Sequence, residues 1–241
     1  MNVYETERLL DEYLLFHYGT VEEILPFPGG PVDALHFPVR SVMENLPATR
    51  RERALDLGCA VGRSSFELSR FCDSVVGIDS SERFIDVAER LRRGERVNYR
   101  RHEEGDLFTE LEAVRPEHSR SDRVRFEVAD AMALPEGLGG FDAVHAANLI
   151  CRLTEPQKLL DRLPSLVRLG GVLVLTTPCT WLEEFTPPER WPQGTTLDWL
   201  KSHLADHFSL EAVRDQPFLI REHARKFQWS VALATVWMRR H

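Results

Sequence analysis

The chain has 241 residues, 43% of them apolar, and a formal net charge of −8. That is enough apolar material for one sizeable core, and the acidic balance without a long basic run speaks against a nucleic-acid partner. No apolar run approaches the ~18 residues of a membrane span, and the acidic start Met1-Asn2-Val3-Tyr4-Glu5 lacks a signal-peptide core, so a cytoplasmic protein with no membrane partner is expected.

Residues 5–18 carry Leu9, Leu10, Tyr13, Leu14 and Phe16 at near-helical spacing before Gly19. This predicts an amphipathic cap helix. Residues 26–38 hold four prolines and two adjacent glycines and read as an irregular loop. A short helix is expected over 39–46. Residues 1–50 are thus an N-terminal helical cap, and residues 51–241 form the core.

A first core strand is expected at 53–57, a crossover helix at 64–71 and a second strand at 74–78. Ser80 and Ser81 can cap the next helix, which runs to about residue 93. Residues 97–114 alternate around Glu104-Gly105-Asp106 and read as an inserted β-hairpin with a charged tip. Further strands are expected at 124–128, 141–146 and 172–176. The helix over 156–168 is expected to stop at Gly170-Gly171. A substrate loop over 179–194, a helix over 197–207 and a final antiparallel pair at 217–222 and 227–238 complete the chain. Phe227 and Trp229 on that pair read as core. Strands alternating with helices predict an α/β fold: a Rossmann-like, doubly wound, mostly parallel seven-stranded sheet with an antiparallel last strand.

Residues 55–62 read Leu-Asp-Leu-Gly-Cys-Ala-Val-Gly, and Gly77-Ile78-Asp79 ends the next strand. Glycine at positions 58 and 62 permits close approach of a ligand to the main chain. Asp79 is placed to accept hydrogen bonds from a ribose diol. A dinucleotide fingerprint would need Gly-x-Gly-x-x-Gly, and here that register is Gly58, Ala60, Arg63. Ligands in such sheets sit outside the carboxyl ends of the strands, and residues 56–62, Asp79, Asp130 and Asn148 all fall at that edge. The four cysteines, Cys59, Cys72, Cys151 and Cys179, show no Cys-x-x-Cys spacing, so neither a metal site nor a disulfide framework is expected.

The string Asp56-Leu-Gly58-Cys59-Ala60-Val-Gly62 resembles the first motif of class I S-adenosylmethionine (SAM) methyltransferases, with Ala60 in place of the middle glycine. That resemblance implies SAM as cofactor, leaving as S-adenosylhomocysteine. It implies a cofactor site of Asp56, Gly58, Cys59, Ala60, Gly62, Asp79 and Ser80. Asp130 would face the adenine amino group, with Ala131 and Met132 against the ring. Asp130 also reads as a helix N-cap, and the two roles are compatible.

Five further strings are more specific. They are Tyr13-Leu-Leu-Phe-His17-Tyr18-Gly19, His36-Phe-Pro-Val-Arg40, Ala147-Asn148-Leu-Ile-Cys-Arg152, Thr180-Trp181-Leu-Glu183-Glu184 and Arg225-Lys-Phe-Gln-Trp229. Together they are similar to the methyltransferase of ovothiol biosynthesis, a module often fused behind a sulfoxide synthase. The resemblance covers nearly the whole chain. It implies a standalone form, methylation of the π nitrogen of 5-thiohistidine, and a sulfoxide synthase as pathway partner.

Such a transfer is an in-line displacement that needs alignment, exclusion of water and a free nitrogen lone pair, not a metal. Asn148 is a candidate to reach the imidazole or the amino-acid group, or to brace its loop. His17 and Tyr18 are catalytic candidates, and Tyr13 can contact the cofactor. An ordinary core or surface histidine is the competing reading of His17. Arg40 can hold a carboxylate or form a surface ion pair. Trp181 can stack on the thioimidazole, while Glu183 or Glu184 binds an ammonium or stays solvated. Another imidazole or thiol acceptor, and a non-catalytic SAM-binding role, remain open. Sequence leaves the oligomeric state open.

Overall fold

A computed structural model describes residues 3–240. Helix α1 (Glu7–Tyr18) starts where the Thr6 side chain accepts from the Leu9 amide. A capping box of Thr20 and Glu23 opens the single turn α2 (Val21–Ile24). Helix α3 (Phe37–Met43) follows, with Pro38 in its first turn.

The core runs β1 (Arg51–Leu57), α4 (Arg63–Leu68), β2 (Cys72–Asp79) and α5 (Glu82–Arg92), then the hairpin β3 (Val97–Glu104) and β4 (Leu107–Ala113). It continues through β5 (Val124–Val128), β6 (Phe141–Ala147), α6 (Pro156–Leu166), β7 (Val167–Thr177), α7 (Thr196–Leu204), β8 (Phe208–His223) and β9 (Lys226–Arg239).

Seven strands form one sheet in the order β5-β2-β1-β6-β7-β9-β8. β9 pairs antiparallel with both β7 and β8, and the pairs among β5, β2, β1, β6 and β7 are parallel. The order turns back between β1 and β6, which opens a crevice at the carboxyl edge there. Period-2 alternation divides the sheet between two cores. Ala54 and Val75 pack with Phe66 and Phe84 on one face. Leu55, Leu57, Val76 and Ile78 pack with Leu159, Leu163 and Trp199 on the other. Leu14, Leu15 and Val42 of the cap belong to the first cluster, so the helices of residues 1–50 share the core's own hydrophobic interior.

Three expectations change. The Gly170-Gly171 pair does not stop α6, which ends at Leu166. The pair lies within β7, where the β6–β7 register shifts between Phe141 and Ala143. Gly170 sits at φ +74°, and a Cβ on Gly171 would meet Val167 Cγ1 at 2.8 Å and the Phe141 carbonyl oxygen at 3.0 Å. The irregularity itself therefore requires glycine. β8 begins at Phe208 rather than 217, because its half-exposed first half mixes Glu211, Arg214 and Asp215 with apolar residues. Trp229 is 56% exposed and is not core. The hairpin turns at Gly105 as expected, with a tip marked by the exposed Leu107. Its base buries Val97, Tyr99 and Ala113, and the Arg221–Glu103 ion pair (2.6 Å) ties it to β8.

Candidate active site

A cavity of about 650 Å³ lies at the carboxyl edge of the sheet. Its first half is built on the β1–α4 turn. Gly58, Ala60 and Gly62 are all left-handed, at φ +68°, +47° and +87°. This alternation lets the Gly58 and Cys59 amides donate to the Ile78 carbonyl at 2.8 and 3.0 Å. Ala60 holds this conformation at a cost of about 1 kcal/mol relative to glycine. Gly58 and Ala60 line the cavity. Gly62 is required for packing: a Cβ there would meet Phe126 Cζ at 2.6 Å.

Asp79 closes β2 and lines the cavity with Ser80. Its two oxygens accept from the Ala60 amide (3.0 Å) and the Ser81 amide (2.9 Å). Burial raises its pKa against the pull of those amides. Each oxygen keeps a lone pair for a further donor. Asp130 and Ala131 line the same space. Asp130 accepts from the Met132 amide (2.8 Å), so the carboxylate caps a turn and faces the cavity at once.

Three other residues of the expected cofactor set stand behind this surface. Asp56 is 1% exposed and accepts from Ser64 Oγ (2.7 Å), Ser65 Oγ (2.6 Å) and His145 Nδ1 (2.7 Å). His145 Nε2 in turn meets Ser41 Oγ at 3.1 Å. Asp56 therefore pins the start of α4 and the middle of β6 rather than a ligand. Cys59 is buried and outside the cavity lining. Met132 turns its sulfur to Thr154 Oγ1 and the Glu155 amide, both at 3.4 Å.

The second half holds the acceptor candidates. Asn148 follows β6 at φ +54°. Its amide donates to the Thr176 carbonyl (2.8 Å), and Thr176 Oγ1 donates to Asn148 Oδ1 (3.1 Å). Asn148 Nδ2 has no partner among the described residues, so this cavity-lining side chain presents two donors. His17 lines the cavity from α1 and is 8% exposed. Its buried Nδ1 has no hydrogen-bond partner. Burial, with the Arg63 guanidinium nearby, holds its pKa down to about 3, so the ring is neutral. Tyr13 stacks on it at 5.8 Å and packs on Phe84 at 4.8 Å. Burial pushes the Tyr13 phenol well above its ordinary range, so it stays protonated.

The segments before α1 and after β7 meet over this space. Tyr4 and Phe185 both line the cavity, with ring centres 6.2 Å apart. Arg152 lies 4.8 Å above the Phe185 ring and donates to the Thr180 carbonyl (3.0 Å). Trp181 instead anchors the loop from outside the cavity lining, donating to Thr196 Oγ1 (3.0 Å) and packing on Trp199. Glu184 lines the cavity and Glu183 does not. Tyr18 turns away, donates to the Val61 carbonyl (2.7 Å) and braces the glycine turn. Arg40 spends its donors on Glu44 and on the Asp33, Leu35 and Pro217 carbonyls, fastening the loop before α3 to β8.

Several further lining residues carry a signal in the sequence. Glu12 and Phe16 share a helix face with Tyr13 and His17 at spacings of three to five residues. Phe218, Ile220 and Glu222 alternate along the inner face of β8. Among the described residues, no three His, Cys, Asp or Glu groups converge as a metal set, and no helix is long and apolar enough to cross a membrane.

A family model described as "Methyltransferase domain" matches residues 48–232. The ubiquinone biosynthesis O-methyltransferase of Coxiella burnetii is 23% identical over 175 residues, covering 71% of this chain and 64% of that protein. The demethylmenaquinone methyltransferase of Clavibacter sepedonicus is 31% identical over 137 residues, 57% of this chain and 43% of that protein. The chain thus spans less than two thirds of these relatives. Among solved structures, the N-methyltransferase NodS of Bradyrhizobium japonicum with S-adenosyl-L-homocysteine aligns over 96% of this chain and 99% of its own, with TM-score 0.55 and 13% identity. A putative SAM-dependent methyltransferase of Listeria monocytogenes aligns over 85% and 99%, with TM-score 0.57 and 13% identity. With the model match spanning most of the chain and the strand order of that fold in place, the chain belongs to the methyltransferase-domain family.

Proposed function

We propose that the chain is a SAM-dependent N-methyltransferase that methylates the π imidazole nitrogen of 5-thiohistidine, forming ovothiol A. The observation that carries this reading is one continuous cavity. It joins the carboxylates of Asp79 and Asp130 to a compartment lined by aromatic rings, Asn148 and the neutral His17. The first part fits SAM: lone pairs on Asp79 for a ribose diol, an open oxygen on Asp130 for an adenine amine, and exposed main chain at Gly58 and Ala60. SAM supplies an electrophilic methyl when bound. Asn148 orients the acceptor by donation, and Tyr4 with Phe185 excludes water from above. A neutral His17 can accept a hydrogen bond from the acceptor ring, while its lowered pKa keeps it from taking up the proton. The resemblance of residues 13–19, 36–40, 147–152 and 180–184 to the ovothiol methyltransferase names the acceptor.

The test is incubation with SAM and 5-thiohistidine, followed by NMR of the product, with histidine as the control acceptor. The methyl is expected on the ring nitrogen next to the side-chain carbon, with histidine turned over far more slowly. Methyl on sulfur, equal turnover of histidine, or no transfer to 5-thiohistidine would overturn the reading.

A further inference from the structure

The acceptor compartment grades from aromatic to acidic along two elements at once. On α1, Phe16 and Glu12 lie one turn apart, about 6 Å along the axis, on the face that lines the cavity. On β8, Phe218 and Glu222 lie on one face of the strand and line the same cavity. At the inner end, Phe16, Phe37 and Phe218 contact one another, with ring centres 5.1–6.2 Å apart. His17 joins them edge-on to Phe16 at 5.5 Å, more than nine-tenths buried and with Nδ1 unpartnered.

At the outer end, Glu12 and Glu222 both also line a small neighbouring crevice between α1, the β3–β4 hairpin and β8, together with Asp11, Arg8, Arg100, Arg101 and Arg221. Each is paired on one oxygen only, Glu12 Oε1 to Arg8 (3.1 Å) and Glu222 Oε2 to Lys226 (2.6 Å). Both cations are mostly exposed, although Arg8 also lines the cavity beside Glu12. The other arginines of the crevice are engaged elsewhere: Arg101 and Arg221 with Glu103, and Arg100 with Glu7 and Asp11. Glu12 Oε2 and Glu222 Oε1 have no partner among the described residues.

We propose that this compartment selects a planar aromatic ring that carries a protonated amine, with the ring against Phe16, Phe37, Phe218 and His17 and the ammonium between Glu12 and Glu222. The inference rests on the methyl-transfer reading of the cavity and adds a recognition rule to it. A stacked ring desolvates cheaply against phenylalanine faces, and the ammonium gains charge-assisted hydrogen bonds from two half-satisfied carboxylates. An uncharged or acidic side chain on the same ring would leave Glu12 Oε2 and Glu222 Oε1 without a further donor.

The experiment titrates the protein, saturated with S-adenosylhomocysteine, with histamine and with 4-methylimidazole by calorimetry at pH 8. These probes share the ring and differ in the amine. Histamine is expected to bind roughly tenfold tighter, as two partly buried charged contacts provide. The Glu12→Gln, Glu222→Gln double variant is expected to bind both probes alike while keeping its affinity for S-adenosylhomocysteine, which also shows that it is folded. Glu95→Gln, on a turn remote from the cavity, controls for the overall acidic charge and is expected to keep the preference. Equal binding of the two probes by the native chain, or a preference that survives the double variant, would overturn the proposal. Methyl transfer to 5-thiohistidine is read separately. A chain that prefers histamine but does not methylate 5-thiohistidine keeps this subsite and loses the proposed acceptor. One that methylates 5-thiohistidine without the preference loses the subsite alone.

Discussion

The two halves of the cavity are held by different kinds of structure. The cofactor side is mostly main chain and short acidic side chains at the ends of β1, β2 and β5, fixed by hydrogen bonds such as Gly58 and Cys59 to Ile78 and Ala60 to Asp79. Its geometry follows from the parallel sheet. The proposed acceptor side is a set of side chains borrowed from α1, α3, the loop after β7, and β8, from Glu12 to Glu222. It is held by ring packing and by struts that stay outside the cavity: Tyr18, Arg40 and Trp181. One half is set by backbone geometry and the other by tertiary assembly, so a substitution on one side should leave the other largely intact.

The largest expected effect lies at the joint between them. His145→Leu leaves the Asp56 carboxylate buried without its imidazole and cuts the link to Ser41. A loss of about 3 kcal/mol in unfolding free energy is expected, with both halves weakened, measured by chemical denaturation. A stable variant that loses only acceptor turnover would show instead that the network serves the reaction.

Next is Asp79→Ala, expected to weaken S-adenosylhomocysteine binding by about 2 kcal/mol, roughly thirtyfold, through lost charge-assisted hydrogen bonds. Acceptor KM measured at saturating SAM should hold. Calorimetry showing unchanged cofactor affinity in the folded variant would end the assignment.

His17 provides a test by pH. Its folded pKa is held near 3 against an ordinary 6.5. Between those values the unfolded chain takes up a proton that the native chain refuses. This contribution to stability is therefore whole above 6.5 and falls as pH drops toward 3. His17→Phe should flatten the stability profile by on the order of 2 kcal/mol between pH 6.5 and about 4.5, measured by denaturation at each pH. The native rate profile should show no inflection from His17 between pH 5 and 8.

The smallest effects are expected where a strut is trimmed. Arg40→Lys keeps a cation near Glu44 and the Pro217 carbonyl, so acceptor KM should change less than about threefold. A rise of ten times or more would return Arg40 to the substrate.

This division explains what could be seen from the sequence. The order of strands, the hairpin turning at Gly105, and the positions of Gly58, Asp79, Asp130 and Asn148 were legible, because each depends on local periodicity or on a turn that demands a residue type. The directions of Tyr18, Trp181 and Arg40 were not. A residue type on a cap helix or loop does not say which partner takes its polar atoms, and Val61, Thr196 and Pro217 lie 15 to 177 positions away. Asp56 illustrates the limit within a motif. Its place beside the glycine turn was readable, but its burial behind Ser64, Ser65 and His145 depends on β6, far along the chain. Gly170-Gly171 carried the composition of a helix stop and proved to serve a strand irregularity, since both uses exploit the same missing Cβ.

The position of β9 has a consequence for how the molecule comes into being. It lies between β7 and β8 in the sheet yet follows every other strand in the chain. During synthesis β5, β2, β1, β6 and β7 can pair as soon as they leave the ribosome, and with them the nucleotide edge is complete. β8, which carries Phe218, Ile220 and Glu222, has no neighbour to join until β9 emerges and slots in beside β7. The pairings among β5, β2, β1, β6 and β7 thus do not depend on β9, whereas the wall that carries Phe218, Ile220 and Glu222 joins the sheet only through this fourteen-residue strand.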